Sequence, residues 1–138
     1  SDPNPLSVVV MGDMNDGPFA ETLEEEFMVN NILDELCGTI LYPDYHFRHA
    51  MTPTTLRTAA STHFEDALNQ GVIIHELIDH LVVSPAIWQG SGGFHLIPDS
   101  CQVEAAIWDA ACAPQGPDEK REFRPSDHKP VSAILEWV

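Results

Sequence analysis

Basic residues are scarce in this chain. Of 138 residues, six are lysine or arginine against 22 aspartate or glutamate, a formal charge of −16 with the histidines neutral. Duplex nucleic acid is normally held by a lysine and arginine stripe that neutralises phosphates. Arg48, Arg57, Lys120, Arg121, Arg124 and Lys129 are too few and too scattered to form one, and an anionic membrane surface is disfavoured for the same reason. A carboxylate-bound divalent cation stays compatible with this charge, because the local charge of an ion overrides the field of the chain.

Cysteine is scarce as well. Cys37, Cys101 and Cys112 are an odd number with no CxxC pair, which excludes a zinc ribbon and a thioredoxin-type site. They read as buried or free thiols, with Cys101 and Cys112 able to pair if a hairpin brings them together. No apolar run approaches the ~20 residues of a membrane helix. The longest, such as Val8-Val9-Val10-Met11, are strand-sized. No secretory signal opens the chain, which starts at Ser1. The expectation is a processed or excised product, with its compartment open.

What is present is ordinary for a folded domain: 43% hydrophobic and 20% charged residues support one domain over 1–138 with a sizeable core. Residues 1–6 look linker-like. Ser7 to Met11 is a β-branched run, read as a buried strand, and Gly12 to Pro18 as a loop. Glu21 to Val29 reads as a helix with acidic first turns, and Ile32 to Leu36 as a further helical turn ending at Cys37-Gly38. Tyr42 to Ala60 reads as a long loop with at most a short helix. Val72 to Ile74 and Leu77 to Ser84 read as a strand or strand pair. Pro85 to Gln89 follows as a helical turn, with Phe94 to Ile97 and Val103 to Trp108 as further strands. Ala113 to Pro125 reads as a polar loop. Val131 to Val138 closes the chain as one alternating strand. Strands with few helices predict an α/β or α+β layered domain.

Three clusters carry candidate chemistry. In Val10-Met11-Gly12-Asp13-Met14-Asn15-Asp16-Gly17-Pro18, an apolar strand delivers Asp13 and Asn15 at its carboxyl end, the usual place for a site in a layered α/β fold. A carboxylate and a neutral amide two residues apart suit a phosphate ester beside Mg²⁺. The same residues also suit a plain turn. An EF-hand loop is excluded, because Pro18 stands where the glycine is required. In His75-Glu76-Leu77-Ile78-Asp79-His80 the histidines are five apart rather than four, so the zinc-protease helix does not fit. Read as a strand, it leaves Asp79 either solvated or in need of a partner. In Pro125-Ser126-Asp127-His128-Lys129-Pro130, Asp127 and His128 stand just before the last strand, as a metal-facing carboxylate and an imidazole, or as an ordinary surface loop. An imidazole needs an orienting acceptor, and Asp79 is the candidate.

Taken in order, Gly12-Asp13-Met14-Asn15, Ile78-Asp79-His80 and Ser126-Asp127-His128-x-Pro130 resemble the motifs of the endonuclease/exonuclease/phosphatase family. That family includes deoxyribonuclease-I-like nucleases, abasic-site endonucleases, inositol polyphosphate phosphatases and neutral sphingomyelinases. The resemblance implies half of a four-layer αββα sandwich, a mixed and mostly antiparallel sheet with helices on one face. It also implies phosphoester hydrolysis dependent on Mg²⁺ or Mn²⁺. By matched position, Asp13 resembles the residue that orients or deprotonates the attacking water, and Asn15 the amide on the scissile phosphate. Asp127 resembles a metal-site carboxylate. His128 resembles the phosphate-binding or acid/base histidine, oriented by the counterpart of Asp79.

The motifs matched are those of the second of the family's two similar halves. The first half's metal-binding glutamate, a further asparagine and a further histidine have no counterpart here. The resemblance therefore implies the C-terminal portion of such an enzyme, with weak metal binding and little or no activity of its own. A non-catalytic binding or assembly module that keeps the fold is the alternative. A lone half would bare the inner face of its sheet, lined by Ser7–Met11, Leu77–Val83 and Val131–Val138. The expectations are a homodimer through that face or pairing with the missing half, a phosphoester substrate of open class, and no membrane span.

Overall fold

The structure, a computed structural model, describes residues 5–19, 30–66, 72–111 and 126–138. The expected helix over Glu21–Val29, the loop over Ala113–Pro125 and Cys112 lie wholly or almost wholly outside these residues. Within them the protein is mixed α/β, with antiparallel strand pairs and few, short helices. No described helix is long and apolar enough to cross a membrane.

The central sheet has the order β1-β5-β2, formed by β1 (Val9–Asp13), β5 (Asp79–Val83) and β2 (Arg48–His49), all antiparallel. Its register pairs Val9 with Val83 and Asp13 with Asp79. The carboxyl end of β1 and the amino end of β5 therefore share one sheet edge. The first strand runs two residues later than the sequence predicts. It takes in Gly12, whose φ of 151° few side-chain-bearing residues adopt.

Three two-stranded pairs flank this sheet: β3 (Phe64–Asp66) with β4 (Val72–Ile74), β6 (Phe94–Leu96) with β9 (Leu135–Trp137), and β7 (Gln102–Val103) with β8 (Val131–Ser132). The core is built from Ala50, Met51, Leu77, Leu81, Val83, Ile87 and Cys101. Cys37 and Cys101 are free thiols.

Local chemistry explains the helices. α1 (Ile32–Cys37) starts where the Asn31 side chain accepts the Leu33 N–H at 2.9 Å and stops at Gly38, whose φ is 73°. α2 (Pro53–Thr58) has Thr52 as its cap and proline at its start. It is the short helix expected within the Tyr42–Ala60 loop, and β2 is an addition to that reading. α3 (Pro85–Trp88) follows Ser84, whose hydroxyl donates to the Leu6 carbonyl and accepts the Val8 N–H, both at 3.0 Å. Ser84 so ties the backbone of Leu6 and Val8 into the fold.

Two strand expectations are corrected. Val103–Trp108 is not a strand: α4 (Ala105–Ala111) begins at Ala105. Four alanines within those seven residues favour helix, and Trp108 is buried while Ile107 is exposed. Val131–Val138 is not one strand either. β8 pairs with β7, then the chain changes partner. At the change, the Ser100 hydroxyl accepts the Ile134 N–H at 3.0 Å, and the Ile97 N–H donates to the Ile134 carbonyl at 3.0 Å. Val131 and Ala133 pack on the core, whereas Leu135 and Trp137 are exposed. The Leu77–Val83 segment is likewise not bare. Leu77, Leu81, Val82 and Val83 are all buried within the chain.

Candidate functional site

The sheet edge where β1 ends and β5 begins gathers the three separated motifs. His128 Nδ1 lies 2.8 Å from Asp79 Oδ2. Both groups are partly covered, with 32% of the His128 side chain and 20% of the Asp79 side chain exposed. Burial alone would lower the pKa of the ring. The Asp79 hydrogen bond and the charges of Asp79, Asp13 and Asp127 outweigh it, and the net shift is upward. The carboxylates of Asp13 and Asp127 are thus near enough to act on the same imidazole. With Nδ1–H donated to Asp79, the other ring nitrogen, Nε2, makes no hydrogen bond among the described residues.

Asp13 and Asn15 are linked through the backbone. The Asn15 N–H donates to Asp13 Oδ1 at 2.8 Å, and Asn15 sits at φ 53°, a left-handed conformation that asparagine tolerates. Asp13 Oδ2 makes no hydrogen bond among the described residues. The structure brings Asp13, Asp79, Asp127 and His128 into one electrostatic cluster. Asn15 joins it by its main chain, while its exposed carboxamide makes no hydrogen bond among the described residues.

A second layer holds these loops, and sequence reasoning missed it. The Met51 N–H donates to His49 Nδ1 at 3.0 Å, so the hydrogen of neutral His49 sits on Nε2. That nitrogen is 3.1 Å from His80 Nδ1, which must then accept. The remaining hydrogen of His80 is on Nε2, 2.8 Å from the Asp16 carbonyl oxygen. Two imidazoles thus relay hydrogen bonds from β2 to the loop that follows Asp13. Burial first, and the neighbouring His80 second, lower the His49 pKa to about 4. Asn31, buried, donates to the next carbonyl, Gly17, at 2.9 Å. The Met14 N–H donates to the Ile78 carbonyl at 2.8 Å.

The His128 loop is held from two sides. Ser61 is fully buried. Its hydroxyl accepts the N–H groups of Ile78 and Asp79, each at 3.2 Å, and its carbonyl accepts the Lys129 N–H at 2.6 Å. One residue therefore spans both halves of the Asp79–His128 pair. From α4, the Trp108 indole N–H donates to the Ser126 carbonyl at 3.1 Å, and the Ser126 hydroxyl accepts the His128 N–H at 2.9 Å. A histidine set among Ile78, Leu81 and Val82 was the one sequence signal for this layer. Ser61 gave none.

Asp13 and Asp127 offer the hard oxygen atoms that Mg²⁺ or Mn²⁺ prefers. Among the described residues, however, no group of three or more histidine, cysteine, aspartate or glutamate side chains is arranged to hold a metal ion. The donor type suits the ion. Comparison with family models, with curated proteins and with solved structures finds no match to this chain.

Proposed function

We propose that this chain is the second half of an endonuclease/exonuclease/phosphatase-type phosphoester hydrolase, and that its own residues supply the phosphate-facing part of the site. The observation that carries the reading is the 2.8 Å bond between His128 and Asp79, made beside Asp13 and Asp127 by motifs far apart in sequence. His128, charged more readily than an ordinary histidine, donates from Nε2 to an anionic phosphate oxygen or to the leaving oxygen. Asp79 holds the ring in place. Asp13 takes up a proton from, or orients, the attacking water, and the Asn15 carboxamide donates to the phosphate. A bound Mg²⁺ would supply Lewis-acid stabilisation, with Asp127 among its ligands and the others drawn from the companion half. The larger arrangement that goes with this reading is half of a four-layer αββα sandwich.

The test compares this chain alone with the same chain joined to a companion half, using Mg²⁺- or Mn²⁺-dependent cleavage of bis(p-nitrophenyl) phosphate. The expected outcome is turnover by the joined protein, little or none by the isolated chain, and at least a ~10²-fold loss for His128→Ala in the joined protein. An inert joined protein points to the binding-module alternative.

In the absence of a companion half, we propose a homodimer. The supporting observation is an apolar strip on the β6-β9 pair. There Phe94 and Trp137 stack edge to face at 4.8 Å, and Leu135, Trp137 and Val138 are exposed. A two-fold assembly buries such a strip on both copies. Sedimentation of the purified chain is expected to give a dimer that reverts to monomer in Trp137→Asp.

A further inference from the structure

We propose that a cavity walled by β2, α2 and the start of β6 binds an anionic amphiphile, with its acidic head at Arg48 and Arg57 and its apolar tail against the core. This inference does not depend on the hydrolase reading. The cavity measures about 740 Å³, within the usual range for small-molecule sites. Its floor is the domain core: Ala50, Met51 and Val83 line it, and all are buried. Phe47 and Leu56, both half-buried, form part of its wall, and exposed Ile40 marks its mouth.

Charge decides the class of ligand. The whole chain has six basic residues against 22 acidic ones, yet two of the six, Arg48 and Arg57, line this one cavity. Among the described residues Asp99 is the only carboxylate that lines it. Neither guanidinium makes an ion pair among the described residues. Each rests on an aromatic face instead, Arg48 at 3.6 Å from the Trp88 ring centre and Arg57 at 5.3 Å from that of Phe19. A cation over a ring face uses none of its N–H donors on an oxygen acceptor, and a guanidinium fork matches a carboxylate or phosphate. An apolar floor with two exposed cations that have no ion-pair partner among the described residues selects an anion that carries a hydrocarbon tail.

The experiment titrates the chain with dodecanoate, dodecyl phosphate, dodecanol and inorganic phosphate, each below its aggregation concentration, by calorimetry and tryptophan fluorescence. Both anionic chains are expected to bind one to one, dodecanol at least ~10-fold more weakly, and inorganic phosphate without saturation. Arg48→Met and Arg57→Met are each expected to weaken the anionic probes ~3- to 10-fold and leave dodecanol unchanged. Leu56→Trp, which narrows the wall, is expected to weaken anionic and neutral chains alike. A circular dichroism spectrum matching the parent establishes that each variant is folded. The proposal is overturned if dodecanol binds as tightly as the anions, if none of the probes binds, or if inorganic phosphate matches dodecyl phosphate. It is also overturned if neither arginine substitution alters affinity.

Discussion

His80 Nε2 donates to the Asp16 carbonyl oxygen at 2.8 Å across 64 residues of sequence, so a histidine buried in the central sheet carries the loop that presents Asn15. His80 is 1% exposed, and its other nitrogen is engaged by His49. Neither of its partners has an obvious replacement.

Replacing His80 with leucine fills the space and leaves the Asp16 carbonyl and the His49 N–H without their bond. A buried polar group left unsatisfied costs about 1–3 kcal/mol. His80→Leu is expected to destabilise the fold by about 2 kcal/mol or more in urea denaturation, and to broaden the backbone NMR signals of Asn15 and Asp16. A loss under about 0.5 kcal/mol would remove the relay from the account of the loop.

The His49 ring gives the fold an acid sensitivity. Its folded pKa is about 4 against an ordinary 6.5, so between those values the unfolded chain binds the extra proton and the folded one does not. Stability is then full above about pH 6.5 and falls as pH drops towards 4, by about 3 kcal/mol in all from this group. His49→Phe is expected to flatten that part of the stability profile relative to the parent. Parallel profiles for the two proteins would contradict the assignment.

His128 works in the opposite direction. Its pKa is raised in the folded state, so its contribution is present below the ordinary histidine pKa and is lost as pH rises through the raised value. In Asp79→Asn the hydrogen bond loses its charge, and the His128 pKa is expected to fall. A proton NMR titration of the ring C–H resonances reads this directly, and an unmoved midpoint would place the cause elsewhere.

Ser61 is predicted to matter more than its size suggests. Ser61→Ala removes the acceptor for two backbone N–H groups at the start of β5. The expected cost is about 1–3 kcal/mol in denaturant unfolding, with a lowered His128 pKa because Asp79 is no longer held. Ser61→Thr is not a neutral control, since the site is fully buried and an added methyl must displace a neighbour.

The sequence alone determined where the candidate groups sit along the chain. Ser7 to Met11 reads as a strand from its β-branched run, and Asp13 and Asn15 follow it in turn chemistry that Asp, Asn, Gly and Pro favour locally. The Asn31 cap, the Gly38 stop and the Pro53 and Pro85 starts are also local signals. Asp79, a carboxylate inside the apolar run read as a strand over Leu77 to Ser84, raised the need for a partner, and His128 was legible as the candidate. Tertiary structure decided what those signals could not reach. The alanine-rich segment after Glu104 carried its own helical propensity, and packing set which face turned inward, with Trp108 buried and its indole bonded to Ser126. The final strand broke because Ser100 offered a hydroxyl at the point where β9 takes a new partner. Whether Leu77–Val83 stayed bare depended on Ala50, Met51 and Ile87 closing over it. The His49–His80 relay spans 31 residues and the Asp79–His128 pair 49. Propensity and periodicity act over a few residues, whereas such pairings are fixed only when packing brings distant segments together and leaves their buried polar atoms no water to bond.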